Sequence, residues 1–212
     1  MVHHGDSALF RVDPSRGKRV LADILDGRRP DFWLSDRYGG QQGFATRGHQ
    51  FCLAHLIRDA QYAIDAGDAG FAPGFLALLR RACRLGGIRE RLTDRQLADR
   101  LRSLVRKLSE LLQRPPTHAA GRKLQATIAR RRRNLFLFVT NRDLEPTNNG
   151  SERALRPCVT FRKVTGGFRT PEGAAFYADA RSLAETARRR GIPPLHAIAL
   201  TIQGSPLPLQ LA

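Results

Sequence analysis

A chain of 212 residues, 42% of them hydrophobic, is long enough to bury a core, which excludes wholesale disorder. Its 36 Lys and Arg against 19 Asp and Glu leave a formal net charge of +17, more than solubility needs, and call for a polyanionic partner. No apolar run approaches the roughly 20 residues of a membrane span, and three scattered cysteines without a leader pattern fit a reduced, cytoplasmic setting better than a disulfide framework.

In chain order, Ala8–Val12 reads as a strand, and a helix begins near Ser15 with Val20, Leu21, Ile24 and Leu25 on its apolar side. Asp31–Asp36 (DFWLSD) is a short buried strand between Arg-Arg-Pro and Tyr-Gly-Gly. Strand, helix, strand points to a parallel α/β sheet. A third strand falls at Gln50–Leu53, and the helix after it, Ala54–Ala66, buries Leu56, Ile57, Ala60 and Ile64.

From Phe71 to Phe138 the periodicity is helical throughout. Thr93 and Gln96 have capping-box spacing at the start of the second helix, and Pro115-Pro116 ends it. Residues Ala69–Asn134 hold 17 of the basic residues and only 4 of the acidic ones, so the excess charge sits on an all-helical insertion. The basic residues ring these helices instead of lining one face, which favours nucleic acid over an anionic membrane. Phe136–Val139 is readable as helix or strand.

Arg142–Asn149 is a polar loop, and Asn149 is placed to cap a helix holding Glu152 and Leu155, with Pro157 as its stop. Thr160–Arg169 then reads as a basic turn or ribbon around Gly166-Gly167, followed by helices over Pro171–Arg190, capped by Thr170, and Pro194–Gln203.

Each candidate for chemistry has an ordinary alternative. Asp36, at the carboxyl end of an apolar strand, stands where open α/β sheets place ligand sites, yet turn propensity alone favours a turn before Gly39-Gly40. Glu152 fits a helix cap three residues after Asn149, although it lies among Asn148, Asn149, Arg153 and Arg156 and just before Arg162, Lys163 and Arg169. A carboxylate beside phosphate-binding cations suits metal-assisted phosphoryl transfer. His49, Cys52 and His55 have ligand spacing for zinc, but Cys83, His118 and Cys158 supply no second paired half, so a buried Cys and a hydrogen-bonded His are favoured. Arg130–Arg133 reads first as an exposed helix face and second as a phosphate contact.

Three blocks carry a resemblance. Asp31–Gly40 (DFWLSDRYGG), Phe51–Asp59 (FCLAHLIRD) and Pro146–Gly167 (PTNNGSERALRPCVTFRKVTGG) resemble the insertion sequence 66 transposases of the DDE, RNase H-like superfamily. The resemblance implies an α/β fold, a truncated RNase H-like core over 1–68 and 141–170, interrupted by the basic helical insertion 69–140 and followed by C-terminal helices over 171–212. It makes Asp36 and Glu152 catalytic metal ligands for Mg²⁺ or Mn²⁺, whose hard character suits carboxylate oxygens. Asn148, Asn149, Arg153, Arg156, Arg162, Lys163 and Arg169 become DNA contacts, and Cys52 and His55 structural or end-contacting residues.

The activity implied is metal-dependent cleavage and transfer of DNA strands at transposon ends and target, by a homo-oligomer or together with full-length transposase copies, on the nucleoid. In the resembled family the first catalytic Asp precedes the segment matching Ala8–Val12, and Asp6 is not a match for it. The expectation is therefore a C-terminal portion that is inactive alone, with a non-enzymatic DNA-binding remnant or inhibitor as the alternative.

Overall fold

The computed structural model describes residues 1–208 and is mixed α/β, with most of its ordered residues in helices. It divides into two compact units, one of Gly17–Asn148 and one of Met1–Arg16 with the stretch from Asn149 onward.

The second of these opens with a hairpin, β1 (Val2–His4) and β2 (Ser7–Leu9), paired antiparallel with Val2 opposite Leu9. The Ala8–Val12 strand expected from sequence is thus shifted and shortened, and its partner is the segment just before it. Its pairing with Asp31–Asp36 is not found among the described residues. The unit continues with α6 (Asn149–Thr165), α7 (Pro171–Arg189) and α8 (Pro194–Ile202). The Thr186 hydroxyl on α7 accepts the Ala8 N–H at 3.1 Å and donates to the Ala8 carbonyl at 3.2 Å, while Ser182 Oγ accepts the Phe10 N–H at 2.8 Å. Two side chains so satisfy the outer edge of a strand too short to recruit another.

Helix α6 corrects the reading of Pro157 as a stop. A proline inside a helix forfeits one backbone bond and crowds the preceding turn, costing about 3 kcal/mol. Packing on both sides offsets this: Leu155 and Cys158 lie against the small core of Ala8, Phe10, Ala154 and Ala178. Beyond the proline, Phe161 stacks on Tyr177 with ring centres 4.5 Å apart and on Phe168 at 5.3 Å. The turn expected over Thr160–Arg169 accordingly starts only at Gly166 and Gly167, whose φ of 72° and 114° suits glycine. Asn149 is the first helical residue instead of the flanking cap, and Thr170 caps α7 as expected, accepting from the Gly173 N–H.

The Gly17–Asn148 unit holds the main core. Helix α1 (Lys18–Leu25) leads into β3 (Phe32–Ser35), which pairs in parallel with β4 (Gly48–Phe51), Trp33 opposite His49 and Ser35 opposite Phe51. The parallel pairing expected from sequence is therefore present, but between β3 and β4. The start of α1 falls three residues later than expected, and none of its side chains is fully buried.

Helices α2 (Leu53–Asp65), α3 (Ala72–Ile88), α4 (Asp94–Leu112) and α5 (Ala119–Arg131) follow, with the Thr93–Gln96 capping box formed. Their apolar faces meet in one cluster: Leu53, Leu56 and Ala60; Phe75, Leu79 and Ala82; Leu97, Leu104 and Leu111; Ile128. Phe136–Val139 neither continues the preceding α-helix nor forms a strand. It forms a 3₁₀ turn at Leu137–Val139 that buries Phe138 and Val139 beneath β4. The buried Gln50 side chain fastens it there, donating to the Leu135 carbonyl at 2.9 Å and accepting the Phe138 N–H at 3.3 Å. No helix among the described residues is long and apolar enough to cross a membrane.

Candidate functional site

In the Gly17–Asn148 unit, the carboxyl ends of β3 and β4 bring several polar groups together. Asp36 follows β3 directly and is partly buried, with Oδ1 accepting the Tyr38 N–H at 3.0 Å. That bond is the turn geometry its ordinary reading describes, and it engages only one carboxylate oxygen. Arg37, next in sequence, turns its guanidinium onto Asp59 of α2. No Lys or Arg among the described residues forms an ion pair with Asp36.

Beside it, Ser35 Oγ donates to the Asp36 carbonyl at 2.7 Å and lies 2.8 Å from Nε2 of His49 on β4. The His49 pKa is pushed down to about 4, first by burial and then by the nearby Arg131 charge, with Asp36 opposing. His49 is thus neutral at physiological pH and satisfied by Ser35, as a hydrogen-bonded core histidine would be. Sequence reasoning favoured a hydrogen-bonded histidine over a zinc ligand here, as His49 shows, but gave Arg37 no role. Their relation to Asp36 depends on strand register, which carries no local signal.

Cys52 closes β4 and flanks α2. It is buried, its N–H donates to the Ser35 carbonyl at 2.9 Å, and its Sγ accepts the Asn148 N–H at 3.3 Å. The Leu53 N–H donates to the Pro146 carbonyl at 2.9 Å. These bonds seat the 146–148 loop against the β4–α2 junction, so Cys52 acts here as a structural acceptor. The Asn148 Oδ1 is buried and unpaired among the described residues. His55 stands partly buried in the first turn of α2.

In the other unit, Glu152 lies in the first turn of α6, where a carboxylate favours the helix dipole. By helical spacing Glu152, Arg156 and Lys163 share one face of α6, with Arg153 at its margin. Arg162 projects elsewhere and, with Arg11, borders an apolar cleft formed by Phe10, Leu155, Phe168 and Tyr177. Arg153, Arg156, Arg162, Lys163 and Arg169 are all exposed, as is Asn149. The structure therefore groups Arg156 and Lys163 with Glu152 and separates Arg162 from them.

The Transposase IS66 family matches residues 3–176, most of the chain. The chain belongs to that family. Membership ties it to transposition and accounts for the three blocks from which the resemblance was read, all of which lie inside the matched residues. No curated protein and no solved structure matches the chain.

Proposed function

We propose that the chain contributes Asp36 and Glu152 as acidic residues to the phosphoryl-transfer site of DNA transposition, with transposon-end and target DNA as substrates, the chemistry requiring in addition the first carboxylate that the resemblance implies. The observation that carries this reading is the state of Asp36 in a family member: a strand-end carboxylate, partly buried, with one oxygen held by the Tyr38 N–H and no cationic partner among the described residues. A carboxylate kept from its adjacent arginine by Asp59 is available to a divalent cation.

The donor set fits such an ion, since Asp36 and Glu152 offer hard oxygens of the kind Mg²⁺ or Mn²⁺ takes. Held by Asp36 and Glu152, a divalent ion would supply Lewis acidity toward the attacking and leaving oxygens of phosphoryl transfer. The protein's part is to hold Asp36 rigid. The Tyr38 N–H fixes the carboxylate, and the Ser35–His49 bond fixes the strand end beneath it.

On this reading an RNase H-like core comprises 1–68 and 141–170, residues 69–140 are its basic helical insertion, and 171–212 add terminal helices. The parallel β3–β4 pair ending in an acid supports it. Arg153, Arg156, Arg162, Lys163 and Arg169 contact phosphates, and Asn148 and Asn149 orient α6 or touch DNA, the unpaired Asn148 Oδ1 being an acceptor in reserve. Cys52 and His55 support the site structurally or meet the transposon end. Paired ends call for a homo-oligomer or mixed assembly with full-length copies.

The test is strand cutting and joining on labelled transposon-end duplexes in Mg²⁺ and Mn²⁺, using a polypeptide that carries all three carboxylates the resemblance implies. Asp36→Asn and Glu152→Gln should each abolish chemistry and leave salt-dependent DNA binding intact. Undiminished cutting by either variant removes that residue from the site. Binding without chemistry in the unsubstituted polypeptide would instead favour a non-enzymatic DNA-binding role.

A further inference from the structure

A cleft of about 420 Å³ in the Gly17–Asn148 unit is lined by Arg37, Gln42, Phe51, Thr127, Arg130 and Arg131. Three arginines from distant parts of the chain line it: Arg37 just after β3, and Arg130 and Arg131 in the last turn of α5. Like charges along one cleft repel, and an anion bound among them relieves that repulsion.

The local ledger of charge is one-sided. Asp59 answers Arg37. Arg130 and Arg131 make neither an ion pair nor a side-chain hydrogen bond among the described residues, and both are exposed. The carbonyl end of α5 steadies their charge through the helix dipole without occupying their N–H donors. Gln42 donates from Nε2 to the Arg37 carbonyl at 3.2 Å, which joins the 37–42 turn to the cleft wall. His49, neutral at physiological pH, adds nothing to the positive charge.

We propose that Arg37, Arg130 and Arg131 form a binding site for a backbone phosphate of a DNA strand, beside the strand end that carries Asp36. Guanidinium forks match phosphate oxygens in pairs, and contacts of this kind fix the register of a strand without reading its bases. The site rests on the reading of the chain as one that acts on DNA. It adds to that reading an anchor remote in sequence from the cations of 153–169, and one that holds whatever the base sequence.

The experiment measures binding of the full chain to a fluorescein-labelled 30-base-pair duplex by anisotropy across a NaCl series. Arg130→Gln with Arg131→Gln is compared with Arg100→Gln and Arg106→Gln, a charge-matched pair on the exposed side of α4. Removing phosphate contacts should weaken binding about tenfold at moderate salt and make the log–log salt slope shallower by roughly one to two, with the α4 pair changing both far less. Equal losses in the two pairs overturn the proposal while leaving DNA binding itself established. A wild-type chain that does not bind the duplex overturns both the site and the reading beneath it.

A second measurement needs no variant. Arginine-selective labelling with phenylglyoxal, mapped by mass spectrometry, should find Arg130 and Arg131 protected by the duplex and Arg100 and Arg106 unprotected. Equal labelling of Arg130 and Arg131 with and without DNA overturns the site.

Discussion

Ser35 Oγ and His49 Nε2 lie 2.8 Å apart across the parallel strands β3 and β4, one residue before Asp36. The serine hydroxyl also donates to the Asp36 carbonyl at 2.7 Å, and burial keeps His49 neutral. A histidine whose folded pKa is about 4 against an ordinary 6.5 binds its proton more tightly in the unfolded chain. Its contribution to stability is complete above about pH 6.5, declines as pH falls, and is gone below about pH 4. The unfolding free energy from urea denaturation should drop across that window by an amount on the order of 2 kcal/mol after allowance for solvent screening. His49→Gln should flatten that part of the profile; an unchanged profile would show that another group titrates there.

Asp68 joins the starts of two helices. Its carboxylate accepts the N–H groups of Ala72 at 2.7 Å and Thr117 at 2.6 Å, with Phe71 and His118 at 3.3 Å. Burial pushes its pKa up, but these backbone donors prevail and hold it below the usual carboxylate range. Its contribution is therefore present above the ordinary value of 3.8 and lost as pH falls through the lower folded one. Asp68→Asn presents an amide to some of those donors and should cost about 2–4 kcal/mol by urea denaturation. Gly121→Ala should destabilise as well, because a β-carbon at Gly121 would fall on the Asp68 carboxylate.

Arg89 is a buried clasp between α3 and the 138–145 segment. Its guanidinium donates to the carbonyls of Phe138 at 3.1 Å, Arg142 at 2.7 Å and Leu144. Its ion pairs to Glu90 and Glu145 involve largely exposed carboxylates and contribute little. Arg89→Met should cost about 3–5 kcal/mol by leaving carbonyls unpaired, whereas Glu145→Gln should change the unfolding free energy from urea denaturation by less than about 1 kcal/mol. A comparable loss in the two variants would assign the clasp to the ion pairs.

Pro157→Ala should stabilise the chain, because α6 runs through this position and alanine restores a backbone donor and relieves the ring clash. A gain of about 1–3 kcal/mol is expected in thermal melts. Lower stability would mean that the proline shapes α6 in a way its neighbours require.

Much of this protein was legible along the chain, because helices and their caps are local. The spacing of Leu97, Leu101, Leu104, Leu108 and Leu111 announced the inner face of α4, where all but the half-buried Leu101 are buried, while Thr93 and Gln96 marked its start and Thr170 the start of α7. The blocks around Asp36 and Glu152 likewise carried the family, because motif residues are recognisable without coordinates. Tertiary structure alone decided what depends on distant partners. The hairpin at Val2–Leu9 took a neighbour instead of a distant strand, and Pro157 was tolerated because Phe161, Phe168 and Tyr177 pack beyond it. Strand register decided the rest: it set His49 against Ser35, while Asp59, six residues into the next helix, drew Arg37 away from Asp36. Neither relation has any trace in local propensity: the first depends on the β3–β4 register and the second on how α2 packs beside the end of β3.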